Sequence, residues 1–474
     1  MLKMTNTLFA VILLEGFVVL AVELLAIRQL IPFVGSSTDV VAIIIAAVLM
    51  PLSFGYYAGG GFKSKRLGKG NVLTIRKKLM RNMLIASLFF LCAISYPLLI
   101  LFFDALKAVG VEGERLKVSI YSILFLVFPV FLMGQTIPLV TNYFKYHKLS
   151  DITGKILFFS TIGSFCGSIV STIVLMATIG VHNTVIVIFF LIFCIILLLA
   201  KRAHKQKVFL AFFMFVLAVC LNNDKAMKAL HVVSNNQYST TKIFVSEGGN
   251  VVTLNVNHSN SARMAKSYKS MFNYVRFIEK NFITPTLNDD SIQPLDILIL
   301  GAGGFTMGYG DTKNSYTYVD VDKDLLEIAE TYLLEKPLEE NKVFFAQGAR
   351  AYLNENDKKF DLIIVDLYSN EMSIPSHLIT QEFYKSVKLH LKKHGTVAMN
   401  IIAKPYFDDD YSRNIDATIR SVFSPVNRHI VRGYNPWIIR KNEVNNVYVY
   451  VDQDHLQKPA KIYTDNLNTY YLDK

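Results

Sequence analysis

Six apolar runs in the first half of the chain, each long enough to cross a bilayer, constrain its fold more than any other feature. A spanning helix needs about 20 apolar residues. Thr7–Phe33, Val40–Gly60, Met83–Phe103, Val118–Phe144, Ile156–Ile179 and Thr184–Ala200 approach or exceed that length. A seventh run, Val208–Leu221, has 14 residues and reads as a short span, a tilted interfacial helix or a linker helix. The first run is too long for the h-region of a cleavable signal and carries Glu15, Glu23 and Arg28, so it is expected to stay as the first membrane helix. A multi-pass α-helical membrane domain over residues 1–222 follows.

Charge gives the orientation. The formal net charge of +12 gathers in short loops, above all in Gly61–Arg81, which holds Lys63, Lys65, Arg66, Lys69, Arg76, Lys77, Lys78 and Arg81. Lys145–Lys155 and Lys201–Lys207 are also basic. With alternating spans these three segments share one side, which the positive-inside rule makes cytoplasmic. A nucleic-acid partner would need a basic face on a folded domain, so none is expected. The expected partner is the lipid bilayer of an inner membrane. Six crossings return the chain to the cytoplasm and seven do not. The second half is expected in the cytoplasm, with Val208–Leu221 short of a full crossing. Glu23 and Arg28 are costly in lipid and should form an ion pair or an ion or substrate site. Gly163 and Gly167, spaced as GxxxG, suit close helix packing. Cys92, Cys166, Cys194 and Cys220 lie in apolar runs without CxxC spacing, so packing is expected of them and no metal.

After this half the periodicity changes. Asn235–Val256 alternates as strands do, with Gly248–Gly249 as a turn; a small β-hairpin subdomain is placed within residues 223–290. Ser267–Phe282 has helical periodicity. Residues 291–474 then read as strand, glycine turn, helix, strand, helix, strand, helix, strand. That order predicts a parallel α/β Rossmann-like domain of the methyltransferase type, with its site at the carboxyl ends of the strands. In ILILGAGGFTMG (Ile297–Gly308), Gly301, Gly303 and Gly304 follow a buried strand, so the backbone can turn tightly against a ligand. Asp320 in YVDVD (Tyr318–Asp322) ends the next strand about 20 residues later, which suits ribose hydroxyls. Gln347, Gly348 and Ala349 follow a third strand, where a base edge is read. Asp366 ends FDLIIVD (Phe360–Asp366) over the same crevice, whereas Asp361 reads as a structural cap. Together these residues point to a nucleoside-type ligand.

These motifs in this order, with IPSHLITQEFY (Ile374–Tyr384), resemble the spermidine synthase (polyamine aminopropyltransferase) superfamily. Glu23 with GSS (Gly35–Ser37), SFGYYAGG (Ser53–Gly60), FLMGQTIPL (Phe131–Leu139) and STIGSFCGS (Ser160–Ser168) resemble its membrane-fused, multi-span branch. The resemblance implies a membrane-bound transferase that moves an aminopropyl group from decarboxylated S-adenosylmethionine to a small-molecule amine such as putrescine, releasing methylthioadenosine. It implies that Gly301–Gly304 lie under the nucleoside, that Asp320 holds the ribose and that Asp366 orients and deprotonates the amine. Glu371 would stand in for a second acid, and Gln237, Tyr238 and Tyr368 would line the acceptor side. A homodimer through the soluble domain is also expected.

The chain departs from the family pattern in four places. GAGGFT lacks the Asp of GGGDGG, and Gln347-Gly348-Ala349 replaces an Asp-Ala or Asp-Gly pair. DLYSNE (Asp366–Glu371) puts Ser369 where the second acid belongs, and SYKSMFNY (Ser267–Tyr274) lacks a Tyr-His-Glu segment. Two other readings therefore stay open. One is a catalytically lapsed polyamine or adenosyl binder whose membrane half acts as transporter or scaffold. The other is an S-adenosylmethionine-dependent methyltransferase on the shared fold.

Overall fold

The computed structural model describes residues 2–62, 70–144, 149–201, 204–246, 248–265, 267, 270–370, 373–431, 444–449, 462–466, 468 and 470. The chain forms two compact units, Met1–Tyr238 and Ser239–Lys474. The composition break near residue 222 therefore lies inside the first unit, and the hairpin region belongs with the α/β domain.

The first unit is helical apart from a short strand near its end, β1 (Val232–Asn235). Asn6–Val34, Thr38–Gly60, Glu114–Phe144, Ser150–Thr178, Gly180–Leu199 and Lys205–Asn222 are each long and apolar enough to cross a membrane. The Met83–Phe103 run is not one helix. It lies in two, Ile75–Ile94 and Tyr96–Ala108, that meet at 69°. Pro97 explains the break, because its ring cannot follow the carbonyl four residues back within a helix. That carbonyl, Ala93 O, instead accepts from the Tyr121 hydroxyl at 2.7 Å. The GxxxG pair packs as expected. A Cβ on Gly163 would lie 2.0 Å from Leu13 O, and one on Gly167 2.4 Å from Phe17 O, so only glycine lets these two helices touch. The Arg28 guanidinium donates to Asn236 O at 2.8 Å and reaches Asn235 Oδ1 at 3.4 Å.

The last helix is longer than the 14-residue run within it. Near its start Lys207 Nζ donates to Lys77 O at 2.9 Å, and at its end Asn222 Nδ2 donates to Ser95 Oγ at 3.0 Å. Lys205–Asn222 therefore runs the depth of the Ile75–Ile94 helix beside it. Just beyond, Asp224 meets His182 at 2.9 Å, at the start of the Gly180–Leu199 helix. The chain thus leaves the helices at the end away from the basic segments.

The second unit opens with an antiparallel meander of β2 (Thr240–Val245), β3 (Val251–Val256) and β4 (Ser259–Ala265). Its first turn places Gly248 and Gly249 at φ +84° and +67°, the left-handed region that glycine alone adopts freely. A helix at Asn273–Ile278 follows. The main sheet contains β5 (Asp296–Leu300), β6 (Ser315–Asp320), β7 (Lys342–Ala346), β8 (Phe360–Val365), β9 (Leu391–Ala403), β10 (Asn427–Val431) and β11 (Val444–Val449), in the order β10-β11-β9-β8-β5-β6-β7. The five strands from β9 to β7 are parallel, and β11 and β10 run antiparallel at one edge. Both faces of the central strands are buried, with Leu298, Leu300 and Ile363 in one core and Ile297, Ile299 and Ile364 in the other. This is why they read as unbroken apolar runs. From β5 the chain moves out to β6 and β7, then returns to β8 on the other side. The switch point, where such sheets bind ligands, lies between β5 and β8.

One expected element is absent among the described residues: no helix follows the glycine turn. Residues 301–314 are turns, with Gly303, Phe305, Gly308 and Gly310 at φ +53°, +54°, +77° and +75°. Repeated left-handed residues cannot continue a right-handed helix. Asp311 fixes the path further by accepting from Lys313 N, Asn314 N and the Tyr316 hydroxyl.

Candidate active site

Three of the expected residues converge at the carboxyl ends of adjacent strands. Gly301 follows β5 at φ +95°, and a Cβ there would lie 2.0 Å from Asp366 O. Asp366 N in turn donates to Leu300 O at 2.9 Å. On the other flank of β5, Asp320 Oδ2 accepts from Ala302 N at 3.1 Å and its Oδ1 from Asp322 N at 3.1 Å. A carboxylate has about four acceptor positions, so the group can take a further donor. Gly303 and Gly304 face the meander: a Cβ on Gly303 would meet Ser261 O at 3.2 Å, and one on Gly304 would meet the Ala262 Cβ at 2.5 Å. They serve the packing of the turn.

Asp366 is held from two sides. Its Oδ2 accepts from the Tyr274 hydroxyl at 2.7 Å and its Oδ1 from Asn400 Nδ2 at 2.9 Å. Asn400 Oδ1 accepts from Asn445 Nδ2 at 2.9 Å, so the amide is oriented by β11. Burial pushes the Asp366 carboxyl above its usual range, and the two hydrogen bonds oppose the shift. Burial, then the Asp366 charge, pushes the Tyr274 phenol well above its ordinary value, so it stays protonated and donates. Asp320 is pushed up to about 6, chiefly by burial. A fixed carboxylate with raised basicity can accept a proton near neutral pH.

The remaining candidates divide. The Gln347 side chain donates to Glu355 Oε2 at 2.6 Å, while its backbone N donates to Asp320 O at 2.7 Å. Gly348 precedes the helix Ala349–Glu355 with open space where a Cβ would stand, and Ala349 is buried in the core. The Tyr368 hydroxyl accepts from Ile402 N at 2.6 Å and donates to Asn400 O at 3.3 Å, which ties the acid loop to β9. Ser369 Oγ donates to Ser373 O at 2.9 Å and is turned into its own loop. Asn257 Nδ2 holds that loop from the meander, donating to Ser369 O at 2.9 Å. Asp361 is structural, accepting from Asp296 N and Lys392 Nζ, both at 2.8 Å. Gln237 and Tyr238 close the first unit, with Tyr238 exposed. Glu371 lies outside the described residues.

Tyr274 and Asn400 were not candidates from sequence. Asn400 had a usable signal, a polar residue inside the apolar strand TVAMNIIA (Thr396–Ala403). Tyr274 had none, because its partner lies 92 positions away.

Residues 277–439 match the family model described as the spermine/spermidine synthase domain. The match lies within the second unit. The chain is 27% identical over 147 residues to polyamine aminopropyltransferase 2 of Pseudomonas aeruginosa, covering 29% of this chain and 42% of that protein. It is 30% identical over 138 residues to the polyamine aminopropyltransferase of Vibrio vulnificus, covering 28% of this chain and 44% of that protein. The chain thus spans less than half the length of these relatives. A probable spermidine synthase from Corynebacterium glutamicum aligns in structure with a TM-score of 0.38 at 19% identity, over 46% of this chain and 79% of that one. The matched segment begins within the Asn273–Ile278 helix, after Tyr274, and takes in the crevice residues from Gly301 to Asn400.

Proposed function

We propose that the second unit is an aminopropyltransferase whose donor is decarboxylated S-adenosylmethionine and whose acceptor is an amine of the putrescine class. The observation that carries this reading is Asp366, held by Tyr274 and Asn400 beside Gly301 at the switch point, with Asp320 one strand away. Asp320 and the Gly301 turn would hold the nucleoside. Asp366 would hold the attacking amine and take its proton. The nitrogen lone pair then forms the new C–N bond at the carbon beside the sulfonium. The C–S pair returns to sulfur, and methylthioadenosine leaves. An ammonium has no lone pair for this attack, which is why a carboxylate of raised basicity suits the position. Ser369 offers no second charge to a diamine, and this favours, as the second reading, a binder that has lost efficient transfer. Calorimetric titration of the full-length detergent-solubilised chain with methylthioadenosine tests the nucleoside site. Saturable binding that Asp320→Ala weakens by about 1–3 kcal/mol is expected. A folded chain that takes up none at millimolar ligand contradicts the reading.

We further propose that the first unit lies in an inner membrane with its basic segments cytoplasmic. Gly61–Arg81 and Lys145–Lys155 share a side only if the bent pair Ile75–Ile94 and Tyr96–Ala108 makes one crossing. Six crossings then precede Lys201–Lys207. The last helix, about 27 Å long by its rise, makes the seventh, and residues after Tyr238 emerge opposite the basic segments. This reverses the cytoplasmic placement drawn from the short Val208–Leu221 run. It also requires donor and amine to be present on that side.

A further inference from the structure

Between the last two apolar helices lies a groove of about 570 Å³, lined by Phe193, Ala200, Lys201, Lys205, Val208, Phe209 and Phe212. Its walls are apolar and aromatic, and both of its charges stand at one end, where the two helices join. Phe209 is 70% exposed and Phe212 48%, so the groove opens towards the surface that faces acyl chains if this unit spans a membrane. We infer that this groove is a binding site for one anionic phospholipid, with the headgroup phosphate between Lys201 and Lys205 and an acyl chain along Phe193, Phe209 and Phe212.

Charge complementarity selects this occupant. The lysine end of the groove belongs to a larger basic cluster in which Lys207 Nζ donates to Lys77 O and Arg76 donates to Leu199 O. Among the described residues no carboxylate pairs with Lys77, Lys201, Lys205 or Lys207. His204 reports the same field: burial, then Lys207, Lys77, Arg76 and Lys201, hold its imidazole below its ordinary value. Exposed cations at one end of an apolar wall suit a ligand that is anionic at one end and apolar along its length. Basic pockets between membrane helices on the cytoplasmic side take lipid phosphates in this way. A zwitterionic lipid brings its own cation and gains less. A free phosphate would leave the aromatic wall uncovered.

The site has a consequence for the seven-crossing reading, on which it partly rests. A phospholipid of the cytoplasmic leaflet held at Lys201 and Lys205 fixes this hairpin end to that leaflet, and the last helix must then lead away from it.

Native mass spectrometry of the full-length chain, released from micelles with equal phosphatidylglycerol and phosphatidylcholine, tests the inference. The wild type should retain one phosphatidylglycerol in preference to phosphatidylcholine. Lys201→Gln with Lys205→Gln should weaken that retention by about thirtyfold, from the usual contribution of each interfacial lysine. Phe209→Ala should weaken retention of both lipids. The pair Lys107→Gln and Lys117→Gln, at the facing ends of the helices Tyr96–Ala108 and Glu114–Phe144, controls for lost charge and should change nothing. Equal retention of the two lipids by the wild type overturns the inference, as does unchanged phosphatidylglycerol retention in a helical, monodisperse Lys201/Lys205 variant. Both lysines belong to the first unit and the transferase residues to the second, so methylthioadenosine binding, measured on the same variants, separates failure here from failure of the enzyme reading.

Discussion

At the scale of single residues, Asp320 and Asp366 end apolar strands, but their environments set them different tasks. Asp320 sits at about 6 in the folded unit, against about 3.9 in an unfolded chain. Between those values the folded state holds more protons, so stability falls as pH rises from about 4 to about 6 and the deficit persists above. Asp320→Asn gives up one acceptor oxygen at every pH but also this deficit, so its stability relative to wild type should be greater at pH 8 than at pH 4 by the equivalent of about 1–2 kcal/mol. Thermal melts at the two pH values check this. The same variant should lose methylthioadenosine affinity, and wild-type affinity should drop as pH falls below about 6. For Asp366 the hydrogen bond from Tyr274 opposes the upward shift. Tyr274→Phe should raise the carboxyl further and move the acid limb of the kcat/KM profile to higher pH, which a pH–rate series reads directly. The acids were legible because a charged residue closing a buried strand has few other roles. Tyr274 and Asn400 were not, because their contacts with Asp366 form only when segments 92 and 34 residues apart meet.

Among elements, the glycine turn and the bent helix show how local chemistry overrides periodicity. The parallel order of strands was readable from runs such as DILIL and DLIIVD, since burial on both faces demands unbroken apolar residues. The missing helix after Gly301 was not readable, because its absence depends on four left-handed residues and on Asp311 reaching Tyr316. Apolar length likewise marked Met83–Phe103 as one span but gave no sign that it is bent into two helices at Pro97. The turn gives a sharp contrast. Gly301→Ala places a methyl 2.0 Å from Asp366 O at φ +95° and should cost at least about 3 kcal/mol, with loss of nucleoside binding. Gly348→Ala meets open space at φ −65° and should stay within about 1 kcal/mol of wild type. Chemical denaturation of both variants measures the difference.

For the molecule as a whole, the apolar half and the α/β domain were both visible in composition and motif, whereas the depth of the last helix was not. Its 14 apolar residues suggested a short segment. The anchors at Lys77 and Ser95 show that Lys205–Asn222 runs the depth of its neighbour. An alkaline phosphatase fusion after Asn223 should therefore be active, and a cytoplasmic reporter at the same position silent. The opposite pattern would return the second unit to the side of the basic segments. Aminopropyl transfer by Asp366 is tested most directly by methylthioadenosine release from the full-length chain given decarboxylated S-adenosylmethionine and putrescine or spermidine. General-base assistance is worth about 10²–10⁴-fold. The account predicts release by the wild type, and a loss of about that size in Asp366→Asn with nucleoside binding retained. Release undiminished in Asp366→Asn, or none from a wild type that binds methylthioadenosine, would contradict it.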